Sequence, residues 1–404
     1  MKPTILMVSE RVPFPADNGG KLRTANTLKH LSKYYTIDFV MYSIDTVSEK
    51  QLEQVQRYCR KIMVFPEGIP SKRKHLRHFI TGKSGIACCI YSKSMQAAID
   101  QLLAENQYHF LWVERLFCLP YFNRRLKKNG NNPPVILNMH DVDHEAVQFF
   151  SQVDLSYLKR MYYREEYKRV LRLEEYAIRS VHRIIAVSER DRKLYQEKFP
   201  FCTDKWFSAN NGVDLSVARN AQHKERAKSK VLFVGGLDNP CNRHGILWFV
   251  KEVWEKILVA CPDAQLDIAG SGKSTTKLKE ELCSSPHVNF LGYVDDVNEL
   301  YQKATCIIVP LLSGSGTRLK IVEAFSFKLP VVSTSIGAEG LPVENGRELI
   351  IADNADSFAK GVIKAIQDNG CCNLMTEEAY NIAVKYYDWD VIMDNLIKKV
   401  EASL

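Results

Sequence analysis

The stretch 305–334 reads TCIIVPLLSGSGTRLKIVEAFSFKLPVVST and predicts one complete strand-loop-helix-strand unit. Its apolar run from Thr305 to Pro310 is typical of a buried strand, and a second such run spans Leu329 to Ser333. Between them lie a glycine-rich loop at 313–317 and helical apolar spacing from about Leu319 to Phe327. Because a strand that returns through a helix pairs in parallel, this stretch predicts an α/β fold.

The same alternation extends through the rest of the chain. Upstream in the second half, strand-like runs occur at 231–236, 265–269 and 288–291, and the first half carries shorter runs at 4–8, 37–42, 61–65, 110–113, 134–138 and 183–187. Helical spacing separates these runs. We therefore expect two tandem Rossmann-like, doubly wound α/β domains that face a central cleft, with ligands bound beyond the carboxyl ends of the strands.

The domain boundary is predicted from a change in composition. Turn-forming residues occupy 210–214, and the stretch 219–230 is polar. We expect a first domain at 1–212, a linker at 213–229 and a second domain at 230–388. A break at Tyr387-Asp388-Trp389 precedes a last helix at 389–404, which we expect to return to the first domain.

Composition excludes several classes of protein. Among 404 residues, 46% are hydrophobic and 25% charged, which is typical of soluble globular chains and not of disordered or coiled-coil ones. The apolar run at 5–8 is too short for a signal peptide, and none approaches a membrane-spanning length. The eleven cysteines show no zinc-type spacing, so we expect free thiols and a cytoplasmic protein. The net charge of +8 permits anionic ligands but does not predict nucleic-acid binding.

The glycine-rich loop predicts a phosphate site. It follows a buried strand and opens a helix, so backbone N–H groups and the helix dipole converge on an anion there. Two nucleotide motifs fail nearby: a G-x-G-x-x-G pattern from Gly314 needs glycine where Leu319 stands, and a P-loop ending at Gly272-Lys273-Ser274 needs glycine at Asp267. A dehydrogenase and a P-loop nucleotide hydrolase are therefore not supported.

Glu323 stands one helical turn after Leu319, near the same end of the sheet. A carboxylate there can accept hydrogen bonds from two ribose hydroxyls. The alternative is an ordinary helix carboxylate.

The order of features resembles the GT-B glycosyltransferases of family 4. The resemblance is strongest over 231–350 and rests on the segments FVGG at 233–236, LDIAG at 266–270, VNFLGYV at 288–294, the stretch 310–324, KLPVVST at 328–334 and, in the first half, NGG at 18–20 and AVSERD at 186–191. It implies a nucleotide-activated sugar in the second domain, an acceptor in the first, and no metal or other cofactor.

The resemblance also implies donor-binding residues, although two family positions differ. Glu323 matches the second glutamate of the E-x7-E pattern and is expected to hold the donor ribose, whereas the first glutamate is replaced by Ser315. Gly236 stands where the family has arginine, beside Asn242-Arg243-His244, so we expect Arg318 and Lys320 to meet the diphosphate charge instead. The alternative is that both are solvated helix residues. The expected donor-binding set is Gly19, Gly20, Gly236, Asn242, Tyr293, Val294, Gly314, Ser315, Gly316, Thr317, Lys320 and Glu323, with Arg318 as a catalytic group.

His140 is the other catalytic candidate. It follows a buried strand in Asn138-Met139-His140-Asp141, which resembles the family loop whose histidine approaches the transferred sugar. A structural histidine is the alternative. The neighbouring Asp141, Asp143, His144 and Glu145 are expected to cap the next helix rather than hold a metal.

Two basic stretches point to an anionic membrane surface. One contains Lys72, Arg73, Lys74 and Arg77 beside Leu76 and Phe79, and the other spans Lys159 to Arg172 with tyrosines at 162, 163 and 167. A solvated helix face is the alternative for both.

The expected function is retaining, metal-independent transfer of a sugar from a nucleoside diphosphate to a saccharide or lipid-linked saccharide in cell-surface polysaccharide synthesis, at the inner membrane face. Alternatives are a sugar-nucleotide 2-epimerase of the same fold and an inactive partner subunit, the latter favoured by Ser315 and Gly236.

Overall fold

A computed structural model describes residues 2–16, 18–44, 46–66, 82–126, 132–152, 157–201, 204–220, 226–270, 272, 275–314 and 318–404. The chain divides into two compact units. Unit 1 comprises Met1–Asn211 with Met393–Leu404, and unit 2 comprises Gly212–Ile392. Both are Rossmann-like α/β units, which confirms the predicted fold class.

Unit 1 is built on a parallel sheet whose strands are almost continuously buried, as strands covered by helices on both faces must be. In chain order the strands are β1 (Thr4–Ser9), β2 (Thr36–Ser43), β3 (Lys61–Pro66), β4 (Leu111–Glu114), β5 (Val135–Asn138), β6 (Arg183–Ala186) and β7 (Trp206–Ser208). Their order across the sheet is β3-β2-β1-β4-β5-β6-β7, so the direction of winding reverses between β1 and β4.

Helices cover this sheet, and several begin at side-chain caps such as Asn18, which accepts a hydrogen bond from the Lys21 N–H at 3.1 Å. The helices of unit 1 are α1 (Gly19–Tyr34), α2 (Glu49–Gln56), α3 (Gly85–Cys89), α4 (Lys93–Glu105), a 3₁₀ helix (Leu116–Phe122), α5 (Asn123–Leu126), α6 (Asp143–Gln152), α7 (Tyr157–Ser180) and α8 (Glu189–Lys198).

Unit 2 repeats the design with a second parallel sheet. Its strands are β8 (Lys230–Val234), β9 (Gln265–Ala269), β10 (Val288–Gly292), β11 (Cys306–Val309), β12 (Val331–Ser333) and β13 (Ile350–Ile351), in the order β10-β9-β8-β11-β12-β13. Here the winding reverses between β8 and β11.

The helices of unit 2 are α9 (Leu215–Asn220), α10 (Pro240–Trp248), a π turn (Phe249–Val253), α11 (Trp254–Ala260), α12 (Thr275–Leu282), α13 (Asn298–Lys303), α14 (Leu319–Ser326), α15 (Ala355–Gln367), α16 (Asn369–Tyr386) and the first residues of α17 (Trp389–Glu401). One helix, α14, starts directly after the glycine-rich loop, as the sequence predicts.

The stretch 213–229 differs from the linker that its polarity predicts. Helix α9 lies within it, and Val213 and Leu215 are buried in the core of unit 2. Their burial places the start of this stretch in the core of unit 2 and not in a free linker. At the other end of the chain, residues 393–404 belong to unit 1, where Asp394 accepts a hydrogen bond from Tyr34 Oη at 2.9 Å.

Candidate functional site

The first candidate site lies in unit 2, where the winding of the sheet reverses. Gly235 and Gly236 follow β8, and Gly314 follows β11 with a φ of 115°, a conformation that favours glycine. Ligands of doubly wound sheets bind at this point, beyond the carboxyl ends of the two strands. Ser315, Gly316 and Thr317 lie outside the described residues.

Lys320 reaches across from the first turn of α14 to the turn after β8. Its Nζ donates to Asn242 Oδ1 at 2.9 Å, and Asn242 Nδ2 donates to the Gly236 carbonyl at 3.0 Å. A Cβ on Gly235 would lie only 2.9 Å from both the Lys320 and the Asn242 side-chain nitrogens, so a larger residue there would displace these two side chains. A lysine therefore occupies the region where the sequence lacks the family's arginine.

The charge of Lys320 responds to its surroundings. Burial and, less strongly, the positive charge of Arg318 lower the pKa of Lys320 to about 8, against the opposing charge of Glu323. Its Nζ also lies 5.2 Å from the centre of the Phe233 ring. An anion bound beside Lys320 would favour the protonated amine, so this cation is poised to respond to a phosphate.

Arg318 immediately precedes α14 and is 8% exposed. Its Nη2 donates to the Gly314 carbonyl at 2.8 Å and to the Ile336 carbonyl at 3.2 Å. Arg318 thus links Gly314 of the glycine-rich loop to the chain after β12 and adds positive charge at the N-terminus of α14.

Glu323 is fixed by a residue that the sequence analysis missed. Tyr301 on α13 is fully buried, stacks on Phe327 with ring centres 5.5 Å apart, and donates from Oη to a Glu323 carboxylate oxygen at 2.7 Å. Burial raises the pKa of Glu323, against the opposing effects of Tyr301 and Lys320. Because Lys320 and Glu323 are three positions apart on α14, they lie on neighbouring parts of one helix face.

Tyr293 and Val294 follow β10, at the carboxyl edge of the same sheet. The side chain of Tyr293 is 64% exposed. These two residues therefore remain available to a ligand that extends along this edge.

The second candidate site lies in unit 1 and centres on His140. Its Nε2 is hydrogen-bonded to the carboxylate of Glu114, the last residue of β4. Glu114 also accepts from Trp112 Nε1 at 2.7 Å and from Asn138 Nδ2 at 3.1 Å, and it is fully buried. The other ring nitrogen, Nδ1, has no hydrogen-bond partner among the residues that the structure describes.

The protonation state of His140 follows from this burial. Burial lowers the pKa of His140, although the Glu114 carboxylate acts in the opposite direction. For Glu114, burial favours the neutral form, but the contact with His140 prevails and its pKa is lowered. At neutral pH the pair is therefore a carboxylate and a neutral imidazole, with a proton on Nε2 and an acceptor lone pair on Nδ1.

Gly20 and Arg11 lie beside that lone pair. A Cβ on Gly20 would lie 3.7 Å from His140 Nδ1 and 3.6 Å from Arg11 Nη1. Gly19 and Gly20 are the first residues of α1, so the N-terminal N–H groups of a long helix lie near the histidine. Together these groups can accept a hydroxyl hydrogen bond and attract an anion at one place.

Arg23 supports the site through hydrogen bonds to three residues. It donates to Asn138 Oδ1 at 2.8 Å, to the Ala209 carbonyl at 2.9 Å and to Asn211 Oδ1 at 3.0 Å. Burial lowers the pKa of Arg23 to about 10, and the charge of Glu114 opposes this. The sequence analysis missed both Arg23 and Glu114. One signal was present, because Glu114 directly follows the predicted strand at 110–113, at the same edge of the sheet as Asn138.

The acidic loop after His140 has separate structural partners. Asp143 begins α6 and lies 3.4 Å from Arg115 Nη2, and His144 Nδ1 pairs with the buried Glu174 at 2.9 Å. Asp141 is exposed to solvent, and Glu145 lies in the first turn of α6. Within the described ranges, no group of three His, Cys, Asp or Glu side chains could hold a metal ion.

Two family models match parts of the chain. The model described as "Glycosyl transferases group 1" matches residues 228–368, and the model "Glycosyltransferase Family 4" matches residues 81–217. Together they match about two thirds of the chain.

Individual proteins are similar over different lengths. An uncharacterized 44.6 kDa protein in the cps region of Klebsiella pneumoniae is 23% identical over 98% of this chain and 99% of that protein. A phosphatidyl-myo-inositol mannosyltransferase of Mycobacterium tuberculosis is 28% identical over 47% of this chain and 52% of that enzyme. Anabaena HepE, solved in complex with UDP, superposes with a TM-score of 0.65 at 15% identity over 100% of both chains.

The two Rossmann-like units have the GT-B fold. The chain belongs to the family 4 glycosyltransferases, as the sequence resemblance implied.

Proposed function

We propose that this enzyme is a retaining glycosyltransferase that moves a sugar from a nucleoside diphosphate to a saccharide or lipid-linked saccharide acceptor in cell-surface polysaccharide synthesis. The observation that carries the proposal is the pairing of Lys320 and Glu323 on one face of α14, at the winding reversal of unit 2. The UDP complex of Anabaena HepE supports a nucleotide donor in a protein of similar fold.

Each group has a part in holding the donor. Glu323, oriented by Tyr301, accepts hydrogen bonds from the ribose hydroxyls. Lys320 and the start of α14 meet the diphosphate. Tyr293 and Val294 lie along the same edge of the sheet for the base.

In the reaction, the bond between the sugar and the diphosphate breaks while the acceptor oxygen forms a bond to the same carbon. The acceptor proton passes to the departing phosphate oxygen, so no protein carboxylate is needed as a base. Negative charge grows on the diphosphate, and Lys320 with Arg318 stabilises it. The proposal therefore invokes no metal or other cofactor. His140 Nδ1 accepts a hydroxyl hydrogen bond from the transferred sugar.

Arg318 also has a structural role, because its Nη2 donates hydrogen bonds to the carbonyls of Gly314 and Ile336. Arg318→Ala should lower turnover more than donor affinity, because the loop loses its anchor and the transition state loses a charge. Arg243, whose Nη1 donates to the Leu237 carbonyl at 3.4 Å, provides the matched control. If Arg243→Ala proves damaging and Arg318→Ala neutral, the assignment of the cation fails.

We further propose a cytoplasmic enzyme at the inner face of a membrane. No helix in the described ranges is long and apolar enough to cross a bilayer. The cluster Lys72, Arg73, Lys74 and Arg77 lies outside the described residues. At the start of the second basic stretch, the first turns of α7 carry exposed Tyr157, Leu158 and Met161 beside exposed cations. Such a surface suits anionic lipid.

A thermal-shift screen against nucleoside diphosphates and their sugars tests the proposal. A ligand at one hundred times its Kd should add about 2.7 kcal/mol to the free energy of unfolding. Stabilisation by one diphosphate, together with turnover of its sugar, supports the proposal. Stabilisation without turnover favours the alternative of an inactive partner subunit, which Ser315 and Gly236 suggest. Interconversion of the nucleotide sugar without transfer identifies the 2-epimerase.

A further inference from the structure

Unit 1 contains a cavity of about 660 Å³ that the donor site does not use. Its volume lies within the range of about 300–1,000 Å³ that small-molecule pockets occupy. The cavity is lined from the ends of β1, β2 and β4 and from helices α3, α6 and α7. It therefore opens at the same edge of the sheet as His140.

One end of the cavity is cationic. Arg11, Lys21 and Arg115 line it, together with the acids Glu10 and Asp143. Glu10 accepts from Arg11 Nη2 and from Arg115 Nη1, each at 2.6 Å. Burial raises the pKa of Asp143 to about 8, against the opposing charge of Arg115. The three cations outnumber the two acids, so the charged lining groups sum to an excess of positive charge whether or not Asp143 is ionised.

The rest of the wall is mostly apolar, interrupted by Ser43, Thr46 and Gln51. Its large apolar side chains are Ile44, Val47, Ile86, Ile90, Phe117 and Val147. Tyr162 and Tyr163 of α7 complete this wall and are only partly exposed. A free sugar would leave such a surface uncovered, whereas an aliphatic chain would bury it.

The outer faces of α6 and α7 continue the apolar character. Phe149 is 59% exposed and Leu158 is 79% exposed, and Lys159 and Arg164 are exposed near them. The helices that wall the cavity therefore also present apolar and cationic side chains to the outside.

We propose that this cavity binds the acceptor as an anionic amphiphile, with a phosphate group at the cationic end and an aliphatic chain along the apolar wall. The inference rests on the proposed function, because it assigns the acceptor of that reaction. It adds the chemistry of the acceptor and the residues that recognise it. Prenyl phosphates and glycerophospholipids both combine a phosphate with aliphatic chains and so have this chemistry.

Calorimetric titration of the full chain tests the proposal with four probes: geranyl phosphate, geraniol, inorganic phosphate and dihexanoyl phosphatidic acid. We expect geranyl phosphate or the phosphatidic acid to bind at least about tenfold more tightly than geraniol and inorganic phosphate. The tighter of the two amphiphiles identifies the source of the chain. Equal affinity for geraniol and geranyl phosphate would overturn the proposal.

Two variants locate the binding. Ile44→Asp, on an exposed loop after β2, should weaken amphiphile binding about tenfold or more, whereas Val259→Asp, at an exposed position of α11 in unit 2, should not. Arg11→Gln should weaken it similarly, with exposed Arg57→Gln as its control. Parent-like affinity in both Ile44→Asp and Arg11→Gln would also overturn the proposal.

A nucleoside diphosphate titration separates the two levels of the account. A parent protein that binds the nucleotide but no amphiphile contradicts only the present inference. A parent protein that binds no nucleoside diphosphate contradicts the proposed function itself. A parent-like circular dichroism spectrum and thermal unfolding transition in Ile44→Asp show that this variant is folded.

Discussion

Lys320 Nζ lies 2.9 Å from Asn242 Oδ1, so a cation from the first turn of α14 occupies the turn after β8. The two residues are far apart in sequence, and only the adjacency of β8 and β11 in the sheet brings them together. This contact explains how the site tolerates Gly236, because the positive charge comes from a different element.

Diphosphate binding should depend on pH through Lys320. Its pKa of about 8 means that the free amine loses its charge as the pH rises through 8. The terminal phosphate is already ionised there, because its second pKa is about 6. We expect affinity to fall by about tenfold between pH 7 and pH 9, and binding at pH 8 to take up about half a proton. Calorimetry in buffers of different ionisation enthalpy measures that uptake, and an identical uptake in Lys320→Met would contradict the assignment.

Glu323→Ala should weaken nucleoside diphosphate binding by about 1.5 to 3 kcal/mol, the range for hydrogen bonds to a charged group. The loss should arise at the ribose. We therefore expect the parent to prefer the ribonucleotide over its 2′,3′-dideoxy analogue, and Glu323→Ala to bind both alike. Tyr301→Phe should show an intermediate preference, since it leaves the carboxylate but removes the hydroxyl that orients it. A folded Glu323→Ala protein that keeps the preference would refute the ribose contact.

His140→Ala should abolish transfer and leave nucleotide affinity nearly intact, because His140 belongs to unit 1 and we assign it to the sugar. Glu114→Gln tests the positioning of the ring. The carboxylate raises the pKa of His140, so its removal should move the acid limb of the activity profile to lower pH. Equal loss of transfer and nucleotide affinity in His140→Ala would argue against this placement.

Binding to anionic vesicles should depend on the exposed start of α7. Replacing Tyr157, Leu158 and Met161 by serine should lower co-sedimentation with phosphatidylglycerol vesicles, and Leu374→Ser, which is 76% exposed in unit 2, should not. Changing Lys72, Arg73, Lys74 and Arg77 to glutamine should have its own effect, at about 1 kcal/mol per cation near the surface. Unaltered partition in both variants would mean that these surfaces are only solvated faces.

The sequence predicted the fold well because buried parallel strands are continuous apolar runs. Strands β7 and β13 were missed because they have only three and two residues. The predicted linker, 213–229, is too long. Its polar residues after Arg219 dominate the composition, although Val213 and Leu215 at its start pack in the core of unit 2.

The site was predicted less completely, for a physical reason. Glycines and single charged residues near the ends of strands are visible in the local sequence, and Gly20, His140 and Glu323 were predicted as site residues in this way. Their partners come from distant elements: Arg23 meets Asn138 across 115 positions, and Tyr301 meets Glu323 across 22. Neither pairing leaves a periodic signal. Asn242 was a predicted site residue, but predicting its contact with Lys320 requires knowledge of the order of the strands in the sheet.

The central claim is that α14 supplies the cation for a donor diphosphate, and the gap in affinity between a nucleoside diphosphate and its monophosphate tests it most directly. Calorimetry would compare the parent, Lys320→Met and the exposed control Lys303→Met. We predict that Lys320→Met narrows the gap by about tenfold or more, because a charge-assisted hydrogen bond is lost, and that Lys303→Met leaves it unchanged. The same gap in all three proteins, each folded, would contradict the account.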